Sequence, residues 1–174
     1  MSKMRNSKTI TIAAMLISVA VILGFFKIPI TNVIEIRFGS LPLAVAGSLL
    51  GPVVGGVVGG ISDVLAYIVK PTGPFFPGFT INSILSGVIY GLTLKPDTDG
   101  NVSIKRIVIS KLICTVLINM VLNTLWLSML YGNAFKVLFF SRLPKEIIMF
   151  PVNTLLLIAV MKPMKKFFYQ GVLN

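Results

Sequence analysis

Long, uninterrupted apolar runs constrain the fold of this chain more than any other feature. Of its 174 residues, 55% are hydrophobic and only 12% are charged. A chain inside a bilayer must satisfy its own backbone polar groups, which restricts it to helices or a closed barrel. These runs lack the alternation of barrel strands. We therefore predict an all-α membrane protein with a single domain over residues 1–174, embedded in the lipid bilayer.

Turn-forming residues divide the apolar sequence into a bundle of six transmembrane helices. Their predicted positions are about 9–26, 41–50, 53–69, 79–94, 102–132, and from after Pro144 to about 168. Helix 2 is short enough to be broken or tilted, and residues 27–40 read as a charged loop. An even number of spans places both termini on one side. Because many lysines and arginines lie on that side, the positive-inside rule assigns both termini to the cytoplasm.

The composition also excludes several functions. Histidine is absent and Cys114 is the single cysteine, so we expect no internal disulfide, no metal site and no cofactor. The acids are scattered and no nucleotide-binding motif is present, so we do not expect an enzyme or an ATPase. The net charge of +11 would fit a nucleic-acid binder. The cations flank apolar runs, however, where they anchor helices, so we predict no nucleic-acid partner.

The segment Lys70–Asn82 is the most distinctive loop of the chain. It reads KPTGPFFPGFTIN, with three prolines and three phenylalanines. Proline fixes φ and removes a donor, whereas Gly73 and Gly78 permit conformations closed to other residues. Phenylalanines on so stiff a turn are costly to expose to water. The loop therefore either covers a ligand or packs as a plug on its own bundle, and both interpretations stay open.

Within the spans, polar residues and glycines carry the remaining signals. Asp63 is a site candidate, or it pairs with a nearby lysine. Asn119, Asn123 and Trp126 share a face that resembles a pocket wall, although amides also join helices and an indole also anchors at the interface. A run of glycines at four-residue spacing predicts close helix crossing, at Gly47, Gly51, Gly55 and Gly59.

Several cations are predicted to lie on the outer side, and the positive-inside rule does not explain them. They are Lys27, Arg37, Lys70, Lys136, Arg142 and Lys145. Cations attract carboxylates and aromatic faces stack on flat rings. An anionic ligand with a planar ring suits such a surface.

The sequence resembles the substrate-binding S component of an energy-coupling factor (ECF) vitamin transporter, specifically the folate type. The resemblance covers nearly the whole chain. It rests on FGSLP at 38–42, Gly51-Pro52 with the glycines that follow, PTGPFFPGFT at 71–80, and Gly87 with Tyr90-Gly91. The proline-phenylalanine string is its most specific part.

This resemblance implies a subunit that captures folate from outside with high affinity. Its partners would be a membrane coupling T subunit and two cytoplasmic ATPase subunits, and its location a prokaryotic plasma membrane. Ala14 and Ser18 stand where the family has an Ala-xxx-Ala docking element, so the match there keeps small residues but not the motif. The implied ligand-binding positions are Arg37, Phe38, Lys70, Phe75, Phe76, Phe79, Asn82, Asn123, Trp126, Arg142 and Lys145.

Side-chain chemistry suggests roles for these positions. Trp126 and the phenylalanines would sandwich the pterin and aminobenzoate rings, and Asn123, Asn82 or Asp63 would read the pterin edge. Arg37, Lys70 or Arg142 would attract the glutamate carboxylates. The alternatives are an S component for riboflavin or thiamine, or a stand-alone membrane carrier.

Overall fold

The structure is a computed structural model, and it describes residues 7–25, 27–29, 35–71, 75–97, 101–132 and 134–164. A π-helical segment, Cys114–Leu122, joins two of its helices into one rod, Ile104–Tyr131. Six helical rods result among the described residues. The elements are α1 (Ser7–Phe25), β1 (Lys27–Pro29), β2 (Glu35–Arg37), α2 (Ser40–Leu50), α3 (Pro52–Val69), α4 (Pro77–Thr93), α5 (Ile104–Ile113), α6 (Asn123–Tyr131) and α7 (Phe135–Met161).

The predicted helical membrane architecture is confirmed at a coarse level. Four of the described helices are long and apolar enough to cross a membrane: α1, α3, the rod Ile104–Tyr131, and α7. α2 is a shorter apolar helix of 11 residues, and α4 has 17. The predicted loop after α1 instead contains a small antiparallel pair, in which Lys27 lies opposite Arg37 and Ile28 opposite Ile36.

The predicted start of the last helix is wrong. α7 begins at Phe135, and both Pro144 and Pro151 lie inside it. Proline usually ends a helix because it removes one backbone donor and its ring crowds the preceding turn. In a membrane the remaining backbone groups must still pair within the helix, because lipid offers them no partners. Helices therefore continue past prolines within spans. Arg142 and Lys145 therefore project from a helix and not from a loop or helix start.

α2 lies at the centre of the bundle. Every residue from Pro42 to Leu50 is buried, and α1, α3, α4 and α7 all contact this helix. Ala44, Ala46 and Gly47 of this helix are small, which lets neighbouring helices approach it closely. The chain then leaves α2 through Gly51, whose φ of 89° is in the region that favours glycine, and α3 begins at the next residue.

Glycines let α2, α3 and α4 cross with their backbones in contact. A Cβ built on Gly47 would lie 2.6 Å from the backbone nitrogen of Gly91. A Cβ on Gly55 would lie 2.7 Å from Cα of Gly47, and one on Gly87 would collide with the carbonyl oxygen of Gly55. One on Gly59 would collide with a carbonyl oxygen of α4. The close crossing predicted from the glycine spacing is confirmed at Gly47, Gly55 and Gly59 but not at Gly51, which forms the turn between α2 and α3, and we call this contact the glycine crossing.

A single methyl group tests the glycine crossing. We expect Gly87→Ala to lower the stability by about 1–3 kcal/mol, because the added Cβ meets backbone that cannot rotate away. Gly24→Ala in α1 is the matched control, since nothing lies within 4 Å of its Cβ position. Alanine has the higher helix propensity, so this control should be neutral or slightly stabilising. Thermal unfolding of the detergent-purified variants gives the comparison, and equal midpoints would contradict the close crossing.

Candidate functional site

Aromatic side chains gather where α4 begins and α6 passes. The ring centroids of Phe76 and Trp126 lie 5.7 Å apart at 50°, and those of Phe76 and Phe79 lie 5.9 Å apart at 66°. The Trp126 indole donates a hydrogen bond from Nε1 to Oδ1 of Asn82 at 3.1 Å. The structure thus brings together four of the predicted site residues. We call Phe76, Phe79, Asn82 and Trp126 the ring cluster.

The local sequence explains this arrangement. Phe76 is extended, with φ −129° and ψ 118°, and Pro77 follows as the first residue of α4. A residue before proline favours the extended region, and proline is well suited to the first helical position. Gly78 then leaves room for the rings, because a Cβ there would lie 2.6 Å from Cε1 of Phe76 and from Cδ2 of Trp126. Gly78 is helical, so it is its small size that matters here and not the backbone freedom inferred from the sequence.

The rings of the cluster contact one another directly in this structure. Phe76 lies against the indole, and Asn82 is buried beneath it at 8% exposure. This is the arrangement of the plug interpretation. A planar ligand held between Phe76 and Trp126 would require the two rings to separate, so the sandwich remains a proposal.

The other predicted site residues are spread around this cluster. Phe75 packs against Tyr67 of α3, with ring centroids 5.1 Å apart, and is 48% exposed. Lys70 is exposed at the end of α3. The predicted residues that are half-buried are Phe38 before α2, Asn123 at the start of α6, and Arg142 and Lys145 on α7. The side chain of Arg37 and residues 72–74 of the proline-phenylalanine loop lie outside the described part of the chain.

Asp63 is held by hydroxyl groups of α4. Its Oδ2 accepts a hydrogen bond from Thr80 at 2.8 Å, and its Oδ1 accepts one from Ser83 at 3.2 Å. The sequence offered a lysine or a ligand as partner for this acid. The partners found in the structure instead tie α3 to the first turns of α4.

A buried polar group around Lys111 was missed by the sequence analysis. Lys111 is 5% exposed, and the Glu146 carboxylate of α7 is near enough to attract its charge. Glu146 also accepts a hydrogen bond from Nδ2 of Asn119 at 3.3 Å. The amide of Asn119 therefore reaches α7. A lysine in the middle of an apolar run was the signal available in the sequence.

The charges of Lys111 and Glu146 give a test with an internal control. Lys111→Met should lower the stability by about 1 kcal/mol, because the half-buried Glu146 carboxylate loses a nearby opposite charge. Adding Glu146→Gln should recover part of the loss. Thermal unfolding in detergent measures both, with Lys105→Met as a control at an exposed position. A double variant no more stable than Lys111→Met would contradict the coupling.

An apolar groove of about 650 Å³ lies away from the ring cluster, on the outward faces of α3 and α4. Its walls include Val53, Val57, Ile61, Ile84 and Val88. A surface so apolar is suited to contact with lipid chains.

Comparison with known proteins identifies the family. Residues 8–161 match the family model described as ECF transporter, substrate-specific component. The chain belongs to this family. The resemblance inferred from its motifs is therefore confirmed.

Two relatives and two solved structures define the likeness further. The chain is 38% identical to the folate transporter FolT of Clostridium novyi (strain NT), over 91% of each chain. It is 28% identical to the folate transporter FolT of Leuconostoc mesenteroides subsp. mesenteroides, over 85% of this chain and 81% of that one. The crystal structure of FolT bound with folic acid superposes with a TM-score of 0.81 at 31% identity, covering 91% of this chain and 95% of the other. The S component of a bacterial ECF transporter, at 24% identity and a TM-score of 0.68 over 92% and 96% of the chains, shares the fold.

These relatives are transporter subunits and not enzymes. Together with the apolar helices, they establish a multi-pass protein of the cell membrane.

Proposed function

We propose that this protein is the folate-binding S component of an ECF importer. It captures folate at the outer face of the membrane and delivers it through a coupling T subunit powered by two cytoplasmic ATPases. The observation that carries the proposal is the ring cluster, which sits on a backbone that superposes on FolT bound with folic acid. The sequence contains no nucleotide-binding motif of its own, so the energy for delivery comes from the partners.

The ring cluster has the chemistry that a pterin requires. Aromatic faces stack on a flat heterocycle, and Trp126, Phe76 and Phe79 supply three such faces. The bond from the indole to Asn82 fixes the plane of Trp126. Beside the oxygen that accepts this bond, the Asn82 amide has two donor hydrogens, which suit the acceptor edge of the pterin. Asn123, half-buried at the start of α6, is the second amide proposed to read that edge.

Cations around the cluster are proposed to hold the glutamate tail. Lys70 is exposed at the end of α3, directly before the loop that leads to the rings. Arg142 and Lys145 lie on the outer part of α7, and Arg37 is the last residue of β2 in the small β-pair. Charge-assisted bonds to carboxylates are stronger than neutral ones. Phe38 and Phe75 complete the proposed wall.

The chain order supports an orientation with six spans and both termini in the cytoplasm. α2 and α4 are the two further spans, being 11 and 17 residues long. With the start of α1 inside, α4 begins at the outer surface and α6 ends there, so the ring cluster lies at the outer end. The turn after α4 is then cytoplasmic, and Arg106 pairs there with Asp97 at 2.9 Å.

The face of α1 that bears Ala14 and Ser18 is the proposed docking surface for the T subunit. Both residues are exposed. The Ser18 hydroxyl donates to the carbonyl oxygen of Ala14 at 3.0 Å, so it is turned back onto its own helix. The face is therefore small and shallow, which lets another helix approach closely.

Tryptophan fluorescence tests the binding proposal. Trp126 is the single tryptophan, so folate should quench the emission of the purified protein saturably. Asn82→Ala should weaken the affinity about tenfold or more, because a buried hydrogen-bonded amide is lost. Asn101→Ala, at an exposed position on the opposite side, should change nothing. Saturable quenching by riboflavin or thiamine, with none by folate, would transfer the assignment to another vitamin.

Reconstitution into liposomes separates a binding subunit from a stand-alone carrier. The protein alone should bind labelled folate without accumulating or equilibrating it across the membrane. Addition of the T subunit, both ATPase subunits and ATP should start uptake. Uptake by the protein alone would reject the S-component mechanism.

A further inference from the structure

Asp63 links two helices through both of its carboxylate oxygens. An acid in a span is costly unless it is paired or lines a cavity, and here Thr80 and Ser83 donate to it at 2.8 and 3.2 Å. Both hydroxyls belong to the first turns of α4, which also carry Phe79 and Asn82 of the ring cluster. The acid and the cluster therefore act on the same short stretch of helix.

The direction of these hydroxyls is informative. Serine and threonine in helices often bond a carbonyl of the preceding turn. Ser86 and Thr93, farther along α4, do so, to the carbonyl oxygens of Asn82 and Ile89 at 2.9 and 2.6 Å. Thr80 and Ser83 donate across to α3 instead. Their orientation thus depends on Asp63.

Because of the helical period, the bonds from Thr80 and Ser83 to Asp63 also restrict where Phe79 and Asn82 lie around α4. Thr80 and Ser83 are three residues apart and share one side of α4. Phe79 and Asn82 each precede one of them, which places them about 100° around the helix, on the side of Trp126. Rotation of α4 about its axis would break both sets of contacts together.

We infer that Asp63 is a positioning residue for the ring cluster. By holding Thr80 and Ser83, it sets the rotation of the first turns of α4, so that Asn82 meets the indole. The glycine crossing fixes α4 from Ser83 toward its far end, and Asp63 lies one turn beyond Gly59 toward the ring cluster. The expected effect on folate affinity rests on the proposed function. The expected effect on the unliganded indole does not.

Emission of Trp126 in the unliganded, full-length protein is the first measurement. Asp63→Leu removes both acceptors and should shift the emission and raise quenching by acrylamide, in the same direction as Asn82→Ala. Asp63→Asn keeps one acceptor and should have a smaller effect. Thr80→Val/Ser83→Ala should reproduce the change with Asp63 intact. Ser86→Ala and Asp97→Asn are the controls, because their side chains bond elsewhere.

A mutant cycle with folate separates positioning from direct contact. Asp63→Leu should weaken folate binding about tenfold in the wild-type background. It should have no further effect in the Thr80→Val/Ser83→Ala background. An equal loss in both backgrounds would show that Asp63 touches the ligand and would overturn the inference, as would an unchanged emission of the Thr80→Val/Ser83→Ala variant.

The failure of the positioning role can be distinguished from the failure of the proposed folate-binding function. If Asp63→Leu fails to fold, judged by size-exclusion chromatography, the Thr80→Val/Ser83→Ala variant decides. If wild-type protein binds no folate while the emission changes occur as expected, the proposed function fails and the positioning role stands.

Discussion

Backbone contact among three helices is the constraint on which this structure depends. At the glycine crossing the main chains of α2, α3 and α4 meet without intervening side chains. Such an approach gains dispersion energy and excludes lipid, which matters because apolar surface alone drives little association in a bilayer. The crossing places α2 inside the bundle and aligns α4 with α3. The position of the ring cluster at the start of α4 follows from that alignment.

Two of the polar groups in the interior have different kinds of partner. Near the start of α4, Asp63 and Asn82 bond hydroxyls and an indole. Deeper in the bundle, Lys111 and Glu146 interact across α5 and α7, and Asn119 joins them. Each group contacts neighbours from other helices, as polar side chains in a membrane interior must.

Much of the fold could be predicted from the sequence because hydropathy and glycine spacing act locally. Five of the six predicted helices agree with the structure to within a few residues, and Gly47, Gly55 and Gly59 indeed mark the close crossing. The start of α7 could not be predicted by rules for soluble helices, because a span tolerates Pro144.

The site was predictable only in part. Phe76, Phe79, Asn82 and Trp126, all predicted to line the site, lie together, since a constrained loop leads directly into α4, but they contact one another and their role toward a ligand stays a prediction. Asn119 was placed on the face of Trp126 by α-helical spacing. The π-helical segment changes that spacing. Nothing in the sequence of residues 114–122 indicates a π-helix rather than an α-helix. Lys111 shows that the partner of a buried charge, Glu146, is set by tertiary packing between distant parts of the chain.

The two prolines inside α7 also give this helix a particular shape. Pro144 and Pro151 are separated by close to two full turns, so the bends that they favour point the same way. Two kinks in the same direction give the helix a single overall curvature, whereas kinks in opposite directions would offset each other. Leu157, beyond Pro151, lies in the buried core, whereas Val137 and Phe140, before Pro144, are exposed. One continuous helix thus has one end packed in the bundle and the other end facing its surroundings.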